Sequence, residues 1–179
     1  MKNTENILSK DWRYGKMSLL NRIKKANKTY LLLKPRTDVR NLGNRLTTHD
    51  GIDAQAITVD RVSDVFHQLQ GIEIIAIDEA QFFDDAIIED INYLILNKIK
   101  LIIAGLEKDY LHKPFGSMQK IIKISNSVIR LKATCNHCGE DAYYSHRLQK
   151  SKTQVLIGDS NHYEALCEAC FTKTLNYER

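Results

Sequence analysis

Three stretches of the chain are almost uninterruptedly apolar: "TYLLLKP" (29–35), "IEIIAIDEAQ" (72–81) and "KLIIAGLEKD" (100–109). A strand with one wet face alternates apolar and polar residues. A near-continuous apolar run belongs to a strand covered on both faces, as in a parallel sheet between layers of helix. "AITVD" (56–60) is a weaker fourth candidate. Helical periodicity falls between these runs. Residues 84–97 place Ile87, Ile88, Ile91, Leu94 and Ile95 on one stripe, with Asp84 or Asp85 expected to cap the start. Residues 17–26 do the same with Met17, Leu20 and Ile23, and residues 60–69 with Val62, Val65, Phe66 and Leu69. Strands alternating with helices predict an α/β fold with a parallel sheet flanked by helices.

The chain has 179 residues, 43% of them hydrophobic and 27% charged, with only two prolines. It can bury a real core and does not read as disordered. A net charge of +4 suits the handling of anionic phosphates but is too small to point to nucleic acid. No apolar run approaches the ~20 residues that span a bilayer, so no membrane partner is expected. "MKNTENILSKDW" has no apolar core of the secretory kind, so a cytoplasmic protein is expected.

After about residue 130 the character changes to short β-like pieces around cysteines. Cys135-x-x-Cys138 is followed, after 28 residues, by Cys167-x-x-Cys170, and these are all the cysteines of the chain. Two such knuckles supply four thiolates, enough for a closed tetrahedral structural Zn²⁺ site with no open position for catalysis. Four unrelated buried thiols, or a redox pair, are the competing readings. His137 and His162 lie close in sequence and read as bystanders.

"IIAIDEAQFF" delivers Asp78 and Glu79 at the carboxyl end of a buried strand, where ligands sit in open α/β sheets. Successive strand residues point to opposite faces. One carboxylate can therefore hold Mg²⁺ while its neighbour accepts the proton of an attacking hydroxyl, the division that phosphoryl transfer needs. An ordinary Asp-Glu turn after a strand is the plainer reading.

"IDEAQFFDD" (77–85), "AGLEKDYLHKPFGSM" (104–118), "LKATCNHCGEDAYYSHRL" (131–148) and "IGDSNHYEALCEACF" (157–171), with "KPRTDVR" (34–40) and "THDG" (48–51), resemble the type II thymidine kinases in order and spacing. The resemblance covers about residues 29–171. It implies a P-loop-type nucleotide-binding α/β domain over residues 1–130. It also implies a zinc-ribbon-like lobe over residues 131–179 that carries a nucleoside-binding lasso. It implies transfer of the γ-phosphate of ATP to the 5′-hydroxyl of thymidine, for DNA precursor synthesis, by a homotetramer. On that basis Glu79 is the catalytic base. Asp78, Gln81, Asp38 and Arg40 belong to the ATP–Mg²⁺ side. Phe82, Leu106, Tyr110, Phe115 and Ser145 belong to the base pocket, and the lasso contributes Gln154, Leu156, Ile157, Gly158 and Tyr163. Ser145 stands where a Thr is common, Gln154 where an apolar residue is usual, and Tyr110 where the family has a Phe. Tyr110 and Tyr163 could otherwise be plain core aromatics, and Arg40 a surface charge. The lobe lacks the basic-aromatic face of a nucleic-acid binder.

The family's phosphate loop, G-x-x-x-x-G-K-[ST], corresponds here to "KDWRYGKM" (10–17). Gly15 and Lys16 remain. The first glycine is Lys10, the interior holds Trp12, Arg13 and Tyr14, and Met17 replaces the hydroxyl that binds Mg²⁺, with Ser18 one position later. The loop is degenerate. Three readings stay open: a kinase with Lys10, Arg13 and Lys16 supplying charge, a pseudokinase that keeps fold, zinc and nucleoside binding, or an N-terminus that does not represent a working gene.

Overall fold

A computed structural model of the chain describes residues 4–9, 12–38, 45–47, 53–148 and 163–177. Arg40, Gln154, Leu156, Ile157 and Gly158 lie outside the described residues. In chain order the elements are β1 (Thr4–Ser9), α1 (Trp12–Ala26), β2 (Tyr30–Pro35), β3 (Arg45–Thr47), β4 (Asp53–Gln55), β5 (Ile57–Val59), β6 (Ile74–Ile77) and α2 (Ile87–Leu96). Then follow β7 (Lys100–Gly105), α3 (Met118–Ile124), β8 (Ser127–Leu131), β9 (Ala133–Thr134), β10 (Asp141–Ala142), β11 (Tyr144–Arg147), β12 (Tyr163–Leu166) and α4 (Glu168–Tyr177). Six strands form one sheet in the order β5-β2-β6-β7-β1-β8, with parallel pairings throughout.

The apolar runs are continuous because both faces are covered. Leu32, Ile74, Ala76, Ile102 and Ala104 pack against Leu19, Leu20 and Ile23 of α1 and Leu46 of the β3–β4 hairpin. Their strand neighbours Leu33, Ile75, Ile77, Leu101 and Ile103 turn the other way. They meet Val62 and Val65 of a 3-10 helix, Ile87, Ile91 and Leu94 of α2, and Met118 and Ile121 of α3. Ile75 is fully buried in the centre of this second core. Ile75→Ala is expected to lower unfolding free energy by about 2–5 kcal/mol, through lost burial and the cavity left behind. A denaturant titration reads this as a lower midpoint.

Several elements differ from the periodicity reading. The segment over 60–69 forms a 3-10 helix, Val62–Gln68, instead of an α-helix. Asp84 does not cap α2: Ala86 occupies the N-cap without a side-chain bond, and Asp84 Oδ1 accepts the Ala86 N–H at 3.0 Å. Asp85 instead accepts from the Ser117 hydroxyl (2.9 Å) and the Lys120 ammonium (2.5 Å). β1 is a full six-residue strand between β7 and β8, although "TENILS" has no apolar run. It is held by backbone pairing on both edges, and Thr4 N–H reaches Asn126 Oδ1 at 3.2 Å. α1 starts at Trp12, five residues before the expected helix over 17–26. Among the described residues no helix is long and apolar enough to cross a membrane.

Candidate active site

The carboxyl ends of β2, β6 and β7 meet at one edge of the sheet, and the sequence-selected acids gather there. Asp78 continues β6, with its N–H bonded to Leu33 O at 2.9 Å. Glu79 follows in a left-handed conformation (φ 53°, ψ 42°). For a residue with a Cβ this costs roughly 1–2 kcal/mol, and such strain gathers at functional sites. The turn ends the strand abruptly and sends the Glu79 side chain into the protein. Asp78, Glu79 and Gln81 are each 3% exposed, Asp38 5%, and Lys16 and Lys34 2%.

Gln81 fixes the Glu79 carboxylate. Its Nε2 donates to Glu79 Oε2 at 2.6 Å, and its Oε1 accepts the Leu106 N–H at 3.0 Å. The residue therefore ties the turn after β6 to the end of β7. Two glycines make room for it. A Cβ on Gly105 would lie 2.8 Å from Gln81 Oε1, and one on Gly116 would lie 2.1 Å from the Gln81 carbonyl oxygen. Gly116 also has φ +51°. Gly116→Ala is expected to destabilise the fold by about 2–4 kcal/mol, because the clash is with backbone and the conformation opposes a side chain. A thermal melt of the variant tests this, and unchanged stability would be incompatible with the contact.

Lys16 reaches the same edge from α1, with Nζ 3.7 Å from Asp78 Oδ2. Gly15 and Lys16 lie inside the helix, because only two residues separate the end of β1 from the start of α1. A loop that wraps phosphates with successive backbone N–H groups takes about five residues between strand and helix. Ser18 sits roughly 200° around the helix from Lys16. It lines an outward cleft of about 900 Å³ with Met17, Asn21, Arg22, Leu131 and Lys132. The structure thus brings Lys16, Asp38, Asp78, Glu79 and Gln81 together and sets Ser18 apart from them.

The expected base-pocket residues fall into two groups. Phe82 and Phe115 meet edge to face, with ring centres 5.6 Å apart, close to Leu106, whose N–H binds Gln81. Tyr110 and Tyr163 are joined by a residue the motif reading passed over. The Arg147 guanidinium lies 3.6 Å over the Tyr110 ring, and its Nη2 donates to the Tyr163 hydroxyl at 2.8 Å. Arg147 is 6% exposed, and its stacking on an aromatic face in a desolvated position stabilises the arrangement by about 2 kcal/mol. Ser145 is half-buried on β11, opposite Ala165 of β12.

The lobe after β8 has its own small core of Ala133, Ala142, Ala165 and Leu166. The Sγ atoms of Cys135, Cys138, Cys167 and Cys170 all lie within 4.8 Å of one another. Gly139, at φ +81°, turns the first knuckle, and its N–H reaches Cys135 O at 3.0 Å. Burial pushes the Cys135 thiol up, but backbone N–H groups of Cys167, His137 and Cys138 outweigh it and bring it down to about 6. Cys170, sharing a hydrogen bond with the Cys167 thiol and desolvated, is pushed up to about 12. Four sulfurs in this arrangement, on two knuckles, fit a tetrahedral zinc ion. His137 is engaged elsewhere, with Nε2 3.0 Å from Glu164 Oε2. The lobe is joined to the active-site edge by stacked rings: Phe171 on Tyr144 (4.6 Å) and Tyr144 on His112 (4.5 Å).

A family model described as thymidine kinase matches residues 15–171, so the matched span opens at Gly15. A thymidine kinase of Bacteroides fragilis is 34% identical over 160 residues, covering 89% of this chain and 80% of that protein. One of Bacteroides thetaiotaomicron is 35% identical over 154 residues, covering 86% and 77%. One of Mycoplasmoides gallisepticum is 36% identical over 160 residues, covering 83% and 71%. The motifs of the acidic edge and both cysteine knuckles fall inside the matched span, and this chain belongs to the thymidine kinase family.

Proposed function

We propose that the protein is an ATP-dependent kinase that transfers the γ-phosphate of ATP to the 5′-hydroxyl of thymidine. The products are ADP and thymidine monophosphate. The observation that carries this reading is the buried acidic pair at the end of β6, with Glu79 held by Gln81 and Asp78 facing Lys16. The relatives' names support the choice of substrate. Glu79 accepts the proton of the 5′-hydroxyl as its oxygen bonds to phosphorus, and the bridging oxygen leaves with ADP. Lys16 places a positive charge beside that transfer. Asp78 is a hard oxygen donor at the phosphate side and fits Mg²⁺. When bound, the ion neutralises charge on the phosphate oxygens. Asp38 and Arg40 complete the ATP side. Phe82, Leu106, Tyr110, Phe115, Ser145 and Tyr163, with Gln154, Leu156, Ile157 and Gly158, form the thymidine side. Zn²⁺ on the four cysteines is structural. A cytoplasmic homotetramer that supplies DNA precursors completes the reading.

One observation favours a second reading. The two-residue interval between β1 and α1 leaves little chain for a phosphate loop. This supports a catalytically impaired relative that keeps the fold, the zinc lobe and nucleoside binding. Incubating the purified, zinc-loaded protein with radiolabelled thymidine, ATP and Mg²⁺ separates the two. Thymidine monophosphate is the expected product. Its absence, with thymidine still bound in calorimetry, favours the second reading.

A further inference from the structure

Two lysines rank among the largest fully buried side chains of the described residues: Lys16 and Lys34. Lys16 belongs to a recognised motif, whereas Lys34 had no role in the sequence reading. Burying an ammonium costs several kcal/mol unless charged partners offset it, so the position of Lys34 calls for an explanation.

Lys34 is the penultimate residue of β2, at the carboxyl edge of the sheet. Leu32 points to the α1 face and Leu33 to the opposite face, so strand alternation puts Lys34 on the α1 face. In the neighbouring strand Ala76 points to that face and Ile77 away, so Asp78 shares the face with Lys34. The pairing Leu33↔Ile77, extended by the bond from Asp78 N–H to Leu33 O, sets Lys34 and Asp78 side by side. Lys16 reaches Asp78 from α1 above the same face. Asp38, on the turn that follows β2, is buried as well. Burial holds the Lys34 ammonium below the ordinary lysine value, Asp38 and Asp78 pull it back up, and Lys16 pushes it down. Lys16 and Lys34 thus flank one carboxylate as a single electrostatic group. They do so where α1 follows β1 too closely for a full cradle of backbone N–H groups.

We propose that Lys34 is a phosphate-binding residue, forming with Lys16 a two-ammonium clamp for a nucleoside polyphosphate at the carboxyl edge of β2 and β6. The inference rests on the kinase reading, since it names a further residue of that site. Side-chain charge here does part of what backbone N–H groups do in a full phosphate loop. An ammonium is well suited to it, as a compact point charge on a flexible stem.

The test uses the full-length, zinc-loaded protein, with inorganic tripolyphosphate and thymidine titrated separately in a calorimeter. Lys34→Gln is expected to weaken tripolyphosphate binding roughly 10- to 100-fold, the value of one charge-assisted hydrogen bond. Lys34→Arg is expected to keep most of the affinity, and thymidine binding is expected to stay within about twofold in both. Unchanged tripolyphosphate affinity in folded Lys34→Gln overturns the proposal. An equal loss of thymidine affinity, which marks a structural role, also overturns it. Should Lys34→Gln fail to fold, the unsubstituted protein with ¹³C-labelled lysine side chains gives the answer. The Lys34 resonance, assigned with Lys34→Arg, shifts on saturation with tripolyphosphate or the proposal fails. Turnover is read independently. Tripolyphosphate binding through Lys34 without thymidine monophosphate formation retains the clamp and loses the kinase reading. Turnover with an unchanged KM for ATP in Lys34→Gln does the reverse.

Discussion

Glu79→Gln is expected to lower kcat for thymidine monophosphate formation by about 10²- to 10⁴-fold, the range of a lost general base. The substitution keeps the shape of the side chain and removes its capacity to take a proton. Thymidine affinity is expected to change by no more than a few-fold, because the proposed base pocket lies on other residues. The geometry makes this a sharp comparison. Glu79 is buried, held by Gln81 at 2.6 Å, and sits in a left-handed turn that Gln tolerates no better than Glu. Single-turnover kinetics of the two proteins, with thymidine binding measured alongside, give the answer. A variant that keeps kcat within tenfold of the parent would remove Glu79 from the reaction.

Removing zinc is expected to unfold the lobe that follows β8 and to weaken thymidine binding by an order of magnitude or more. Structural zinc in small domains contributes roughly 10–16 kcal/mol at neutral pH, more than a core of five small buried side chains supplies. The effect reaches the site because Phe171, next to Cys170, stacks on Tyr144, which stacks on His112 in the segment that carries Tyr110 and Phe115. Elemental analysis should find about one zinc per chain. Chelation, or Cys135→Ser, should then lower the melting temperature and the calorimetric thymidine signal together. A chain proven free of metal with an unchanged melt would assign the four sulfurs another role.

The fold was legible wherever one residue's environment is set by its near neighbours in sequence. The runs around Leu33, Ile75 and Ile103 announce double-sided burial because their apolar character does not alternate. The two Cys-x-x-Cys knuckles carry their spacing openly, and the sulfurs do converge. β1 was poorly legible because its order comes from pairing with β7 and β8, and a polar hexapeptide gives no sign of that. In the site, Asp78, Glu79 and Gln81 could be read because strand, turn and acid are consecutive. Lys34 left a trace that was passed over: a lysine inside "LLLKP" is a charge in a strand that must be buried. Arg147 left none, because its place between Tyr110 and Tyr163 depends on the β11–β12 pairing and on a distant loop.

The place of β1 in the sheet bears on how the chain is made. β1 lies between β7 and β8, which come roughly 90 to 120 residues later in the chain. β1 therefore has no neighbour to pair with until most of the protein has been synthesised. The β2–β6–β7 portion can assemble before it. Contacts this distant in sequence slow folding and prolong the exposure of open strand edges. β1, with the α1 segment that follows it and carries Lys16, must wait for β7 and β8 to be synthesised. The Lys16 contribution to the candidate site is then completed after the β2–β6 contribution, and is the part more open to capture by chaperones or other chains.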